Sequence, residues 1–150
     1  MEYIARRARE SDLDRIRALN ISSLSENYPK SFWKEKFFTG SAHYVASRRD
    51  QPTGSKNIVG YLATMPFEGQ TMIYSLAVRQ EARRRGIARA LLRAFLEEFE
   101  GDWCVLDVRS DNSAAMHLYR SNGFEFQREK PAYYGDGCSA IEMKFFKKVE

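Results

Sequence analysis

The stretch ARRRGIARALLRAFLEEF, residues 82–99, sets Arg83, Arg84 and Arg85 beside two small residues, Gly86 and Ala88, where a helix is expected to begin. A helix start exposes unpaired backbone N–H groups and carries partial positive charge. Arginines there each oppose the dipole by about 0.3–1 kcal/mol, and a bound anion reverses that sign. Glycine lets a ligand come close to the backbone. The preceding residues, TMIYSLAV, are strand formers, and a strand that enters a helix through such a connection suits a polyphosphate. A plain solvated arginine face is the alternative. The P-loop pattern GxxxxGK[ST] and the dinucleotide pattern GxGxxG are both absent, because this stretch has one glycine.

The elements that must hold this site follow from apolar spacing. YIA predicts an edge strand, and SDLDRIRALNISSL a helix with Ser11 as its cap and Leu13, Ile16 and Leu19 on one side. Pro29 opens a second short helix bearing Phe32, Trp33 and Phe37. HYVAS and IVGYLATM, separated by the turn-rich RRDQPTGSKN, predict an antiparallel hairpin. After the arginines comes a long helix with Ala88, Leu91, Leu92, Phe95, Leu96 and Phe99 on one face. WCVLDV reads as a strand, and NSAAMHLYRSNGF as a helix capped by Asn112 or Ser113 and closed by Gly123. FEFQRE and AIEMKFF form a last pair of strands around KPAYYGDGCS. The expected fold is α+β, a mixed, mainly antiparallel sheet of about seven strands with about four helices on its faces.

A chain of 150 residues that is 43% hydrophobic is sized for one domain, residues 1–150. No apolar run approaches a membrane span, and MEYIARRARESDL has neither a secretory h-region nor the acid-poor character of a transit peptide, so a cytoplasmic location is expected. Cys104 and Cys138 stand far apart without CxxC or histidine company, which points to neither a disulfide framework nor a metal site. His43 and His117 read as structural. The net charge of +4 is mild, but residues 79–93 hold six arginines against one acid, Glu81.

SLAVRQEARRRGIARALL resembles the acetyl-CoA motif of the GCN5-related N-acetyltransferases, with Arg83, Gly86 and Ala88 on its R/Q-x-x-G-x-G/A core. LDVRSDNSAAMHLYRSNGFE is similar to the strand and helix that follow in that family, through Asn112, Ala115, Leu118, Tyr119, Gly123 and Phe124. Within the family, LSENYP and PAYYGDG resemble the two peptide-enclosing loops of N-terminal protein acetyltransferases, the archaeal enzyme and the catalytic subunit of the major eukaryotic complex above all. The resemblance implies a GNAT fold and acetyl-CoA as donor. It implies that the amides of Arg84, Arg85, Gly86, Ile87, Ala88 and Arg89 hold the pyrophosphate. It implies too that Leu76, Ala77 and Val78 pair with the pantetheine arm, with Asn112 in contact with it.

Acetyl transfer to an amine needs a neutral amine, a polarised carbonyl and a hydrogen-bonded or protonated leaving thiolate. An α-amine is about a tenth neutral at pH 7, whereas a lysine is well under a thousandth neutral. The resemblance puts Tyr119 near the sulfur, the Val78 amide at the thioester oxygen and Asp107 where relatives carry a glutamate or histidine base. Asp107 is a shorter side chain, and an equal reading has it bound by backbone or by an arginine such as Arg109. Glu26 is the other carboxylate, at the mouth of the peptide site, and Tyr28, Tyr133 and Tyr134 line the groove. Where relatives continue YYADGEDA this chain has YYGDGCSA. The implied activity is acetylation of protein N-termini or nascent chains, a role compatible with ribosome association. The alternatives are a GNAT enzyme acting on a lysine, polyamine or other small amine, and a basic ribosome- or nucleic-acid-binding module.

Overall fold

The computed structural model describes residues 2–24, 27–37, 42–50 and 54–147. In chain order the elements are β1 (Tyr3–Arg7), α1 (Leu13–Ser23), α2 (Lys30–Phe37), β2 (Tyr44–Arg48), β3 (Ile58–Phe67), β4 (Gln70–Val78), α3 (Ile87–Glu98), β5 (Trp103–Arg109), α4 (Ser113–Ser121), β6 (Glu125–Lys130) and β7 (Ala140–Phe146). The strands form one mostly antiparallel sheet in the order β1-β2-β3-β4-β5-β7-β6. The chain divides into two compact units, Met1–Met65 with Ser75–Phe99, and Pro66–Tyr74 with Glu100–Glu150.

In the first unit β1 and β2 pair from Tyr3↔Arg48 to Arg7↔Tyr44, and β2 pairs antiparallel with β3, as the hairpin expectation had it. Val45, Ala46, Tyr61 and Leu62 are wholly buried, so these strands are covered on both faces and read as apolar runs. Helix α3 buries Ile87, Leu91, Leu92 and Phe95 along one side, each worth about 1.5–3 kcal/mol of burial. Phe95 meets the edge of the Tyr44 ring, whose hydroxyl donates to Glu98 at 2.7 Å. On α1, Asn20 donates to the Tyr61 hydroxyl at 3.2 Å, and Tyr61 lies 2.7 Å from the Ser75 hydroxyl, tying α1 through β3 to the end of β4. Asp12, not Ser11, precedes α1. Its carboxylate is bound by Arg6 at 2.8 and 3.1 Å and accepts the Arg9 N–H at 2.8 Å, which winds Glu10–Asp12 into a 3-10 turn and delays the helix.

His43 is a structural residue in this unit. One ring nitrogen accepts the Thr64 N–H at 3.2 Å, the other lies 3.2 Å from the Lys36 carbonyl, and the ring stacks on Phe37. Burial holds its imidazole below the ordinary value of 6.5. The unfolded chain therefore takes up a proton below pH 6.5 that the native chain refuses, and stability falls as pH drops through that value toward the lowered native one. His43→Leu removes this acid slope, which urea midpoints at pH 7 and pH 5 measure.

In the second unit β4 runs parallel to β5 from Thr71↔Cys104 to Ile73↔Leu106, and β7 pairs antiparallel with both β5 and β6. The turn Glu68–Gly69 between β3 and β4 has φ of 50° and 75°, the backbone of a type I′ hairpin turn. Asn112 caps α4 by accepting the Ala115 N–H at 3.1 Å. Past its end Gly123 takes φ of 96°, and the Phe124 N–H returns to the Tyr119 carbonyl at 3.0 Å in a Schellman-type closure. Phe124 then packs between Tyr119 and Phe145.

Candidate active site

In the first unit the end of β4 and the start of α3 form the anion-binding candidate. Ala77 and Val78 are buried and Leu76 is half-buried. Gly60 on β3 comes so close that a Cβ there would lie 3.1 Å from the Ala77 carbonyl oxygen. The three arginines do not begin the helix, contrary to expectation. Arg83 is extended, Arg84 has φ of 66° and Gly86 φ of 76°, and two left-handed residues cannot be continued into a right-handed helix, so α3 starts at Ile87.

The consequence is a sharper amide cradle. Gly86 accepts the Ala90 N–H through its carbonyl at 3.0 Å, which leaves the N–H groups of Ile87, Ala88 and Arg89 as the open first turn. A Cβ on Gly86 would meet nothing within 4 Å, so the space beside this residue is clear. Arg83 donates from Nε to the Val78 carbonyl at 3.1 Å and folds the connection back on the strand. Arg79 pairs with Glu81, and Arg85 lies 3.6 Å from Glu2. Arg84, Arg89 and Arg93 have no ion-pair partner among the described residues. Clear space, open amides and unspent guanidinium charge fit a diphosphate.

In the second unit Tyr119 is 8% exposed, and burial pushes its hydroxyl up to about 12. No group among the described residues hydrogen-bonds that hydroxyl. Asp107 is 7% exposed at its side chain and does not meet Arg109. Lys130 sits astride it instead, 3.1 Å from Oδ1 and donating to Oδ2 at 3.2 Å, and lies 3.5 Å from Glu142. Arg109 binds Asp111 and Asp136, and stacks 4.9 Å over the Tyr134 ring. Its guanidinium holds the Asp136 carboxyl below the usual range.

The tyrosine loop is tied down by Arg109 and by its own backbone, Tyr134 N–H to Cys138 O at 3.1 Å and Ser110 N–H to Ser139 O at 2.9 Å. Tyr133, 52% exposed, stands edge-on to Tyr134 with Lys130 5.2 Å over its ring. Tyr28, in the first unit, stacks on Phe32 at 4.5 Å and meets Trp33 edge-on. Glu26 lies outside the described residues. Sequence reasoning missed Lys130, Glu142 and Tyr74, whose hydroxyl is a buried atom on β4. Lys130 gave no local signal, being 23 residues from Asp107.

The profile of the acetyltransferase (GNAT) family matches residues 13–124. The chain is 32% identical to the N-alpha-acetyltransferase of Sulfurisphaera tokodaii over 95% of this chain and 92% of that protein. It is 34% identical to the N-terminal acetyltransferase A complex catalytic subunit ard1 of Schizosaccharomyces pombe, over 92% of this chain and 82% of that one. The ribosomal-protein-S18-alanine N-acetyltransferase of Escherichia coli superimposes with a TM-score of 0.85 at 21% identity, covering 99% of this chain and 96% of that one, a likeness of fold.

Proposed function

The chain belongs to the GNAT family of acetyltransferases, and from that premise we propose that residues 1–150 act as one domain that acetylates the α-amine of protein N-termini. It is an acetyl-CoA-dependent acyltransferase. The observation that carries the donor assignment is the entrance to α3, where Gly86 at φ of 76° borders open space at a helix start with unspent amides and arginines. The acceptor assignment rests on relatives above 30% identity that bear N-terminal acetyltransferase names along nearly the whole chain.

The amides of Arg84 to Arg89, with the Arg84 and Arg89 guanidinium groups, would hold the diphosphate. Leu76, Ala77 and Val78 would line the pantetheine arm, and Asn112, already the α4 cap, keeps its amide N–H groups for the same arm. When bound, acetyl-CoA supplies an activated acyl carbon and a thiol leaving group. Asp107 would hold the proton given up by the acceptor nitrogen, and Tyr119 would donate a hydrogen bond to the sulfur. Tyr28, Tyr133 and Tyr134 would hold the peptide backbone, with Glu26 at the ammonium. No helix among the described residues is long and apolar enough to cross a membrane. A nascent-chain acceptor places the work in the cytoplasm and beside the ribosome.

The test is mass spectrometry of peptides starting with Ser, Ala, Thr or Met, incubated with the purified chain and acetyl-CoA, alongside spermidine and an internal lysine peptide. Acetyl on the α-amines is the expected product. Acetyl on spermidine or lysine alone would replace this acceptor, and no product in any arm would remove the reading.

A further inference from the structure

The register of β5, β7 and β6 sets two carboxylates face to face, Asp107 directly opposite Glu142. Directly opposed residues on antiparallel strands hold their Cβ atoms about 4.5–5.5 Å apart, and like charges there repel. Both side chains are largely shielded, 7% exposed for Asp107 and 13% for Glu142. β6 supplies the compensation. Arg128 pairs across the strands with Glu142 and reaches it at 3.5 Å, while Lys130, 23% exposed, spans both acids. Its ammonium thus serves three neighbours, Asp107 at 3.1 and 3.2 Å, Glu142 at 3.5 Å and the face of Tyr133 at 5.2 Å.

On the same face of β7 as Glu142, Lys144 lies 4.0 Å over the Trp103 ring. Arg109, on the strand of Asp107, is engaged by Asp111 and Asp136. On β4, Met72 is the partner of Val105, so Tyr74 falls on the same face as Asp107 by strand alternation. A tyrosine is neutral at physiological pH and does not offset a carboxylate pair. Lys130 is therefore the one cation among the described residues at ion-pair distance from Asp107.

We propose that Lys130 is a positioning residue for the transfer, holding the Asp107 carboxylate in place beside Glu142 and fixing Tyr133 of the peptide loop with the same ammonium. The inference rests on the acetyltransferase reading above and adds a residue to it. Without the cation, the facing acids repel uncompensated, and Asp107 turns away from the acceptor nitrogen whose proton it would take. The sign reverses for Glu142, since its removal leaves the ammonium to Asp107 alone.

The test compares Lys130→Met, Lys130→Arg and Glu142→Gln in the full chain, with Lys130→Met made again in an Asp107→Asn background, measuring kcat and KM for a Ser-starting peptide. Lys130→Met should lower kcat/KM by about tenfold, and Lys130→Arg should restore most of it. In the Asp107→Asn background the same change should cost almost nothing further, because a residue that acts through Asp107 is coupled to it. Glu142→Gln should lose less than Lys130→Met.

The full loss again in the Asp107→Asn background, or no rescue by arginine, would overturn the proposal while parent activity upholds the acetyltransferase reading. An inactive parent removes that reading and this inference with it. Should Lys130→Met fail to fold by thermal melting, the Arg and Gln variants carry the comparison.

Discussion

Gly86→Val weakens acetyl-CoA binding by at least about 100-fold, equivalent to about 2.7 kcal/mol, while the chain remains folded. Two effects of the side chain separate cleanly. At φ of 76° a Cβ is strained against the backbone, by about 1–2 kcal/mol. The same Cβ also enters open space at the start of the helix whose Ile87, Ala88 and Arg89 N–H groups are free of intrahelical partners. Gly69 is a matched control, with φ of 75° and equally clear surroundings, but it sits in the β3–β4 turn and not at a helix start. Gly69→Val should therefore lose a similar amount of stability and no affinity. Thermal melting reads the first quantity and calorimetry with acetyl-CoA the second. Parent-like affinity in Gly86→Val would sink the assignment of the diphosphate to this helix entrance.

The comparison of Gly86 with Arg84 shows where sequence reading stops. The glycine and the small residue after it announced a close backbone approach, and the strand before it and the apolar stripe of α3 fixed the frame. That Arg84 also takes a left-handed φ, pushing all three arginines ahead of the helix, has no local signature, because arginine has no preference for that region. The strand boundaries were legible because β2, β3 and β5 are dense in β-formers between turn residues, and AIEMKFF coincides with β7. Asp107 was legible as the one carboxylate in the apolar run WCVLDV. Its partner was not, since Lys130 reaches it only through the β5–β7–β6 register, while the arginine two residues away is drawn off by Asp136 and Tyr134. Tyr28 had been expected to line the groove. Its stacking on Phe32 shows that packing also claims the ring, information that depends on where α2 lies.

Tyr119→Phe lowers kcat by about 100-fold, leaves KM near the parent value and leaves the fold intact. The ring packs on Phe124 at 5.7 Å, a contact phenylalanine keeps, and among the described residues the hydroxyl has no partner to be orphaned by its loss. Burial has raised that hydroxyl to about 12, which decides the form its help can take. A thiol ionises near 8.5, so full proton transfer from this hydroxyl to a thiolate runs uphill by more than three pH units. On the proposed reading Tyr119 serves as a hydrogen-bond donor to developing charge on sulfur, and the thiolate takes its proton from solvent after release. Two pH signatures follow. The rate defect is the same factor at every pH from 7 to 10, because the hydroxyl stays protonated throughout. In the parent, stability declines as pH rises from the ordinary tyrosine value of 10 through about 12, because the unfolded chain ionises first; this residue contributes about 1.4 kcal/mol per pH unit. Tyr119→Phe lacks that part of the decline, measurable as a shallower loss of urea midpoint above pH 10. A defect that vanishes at pH 10, or a rate within twofold of the parent at pH 8, would remove Tyr119 from the chemistry and return it to the core of α4.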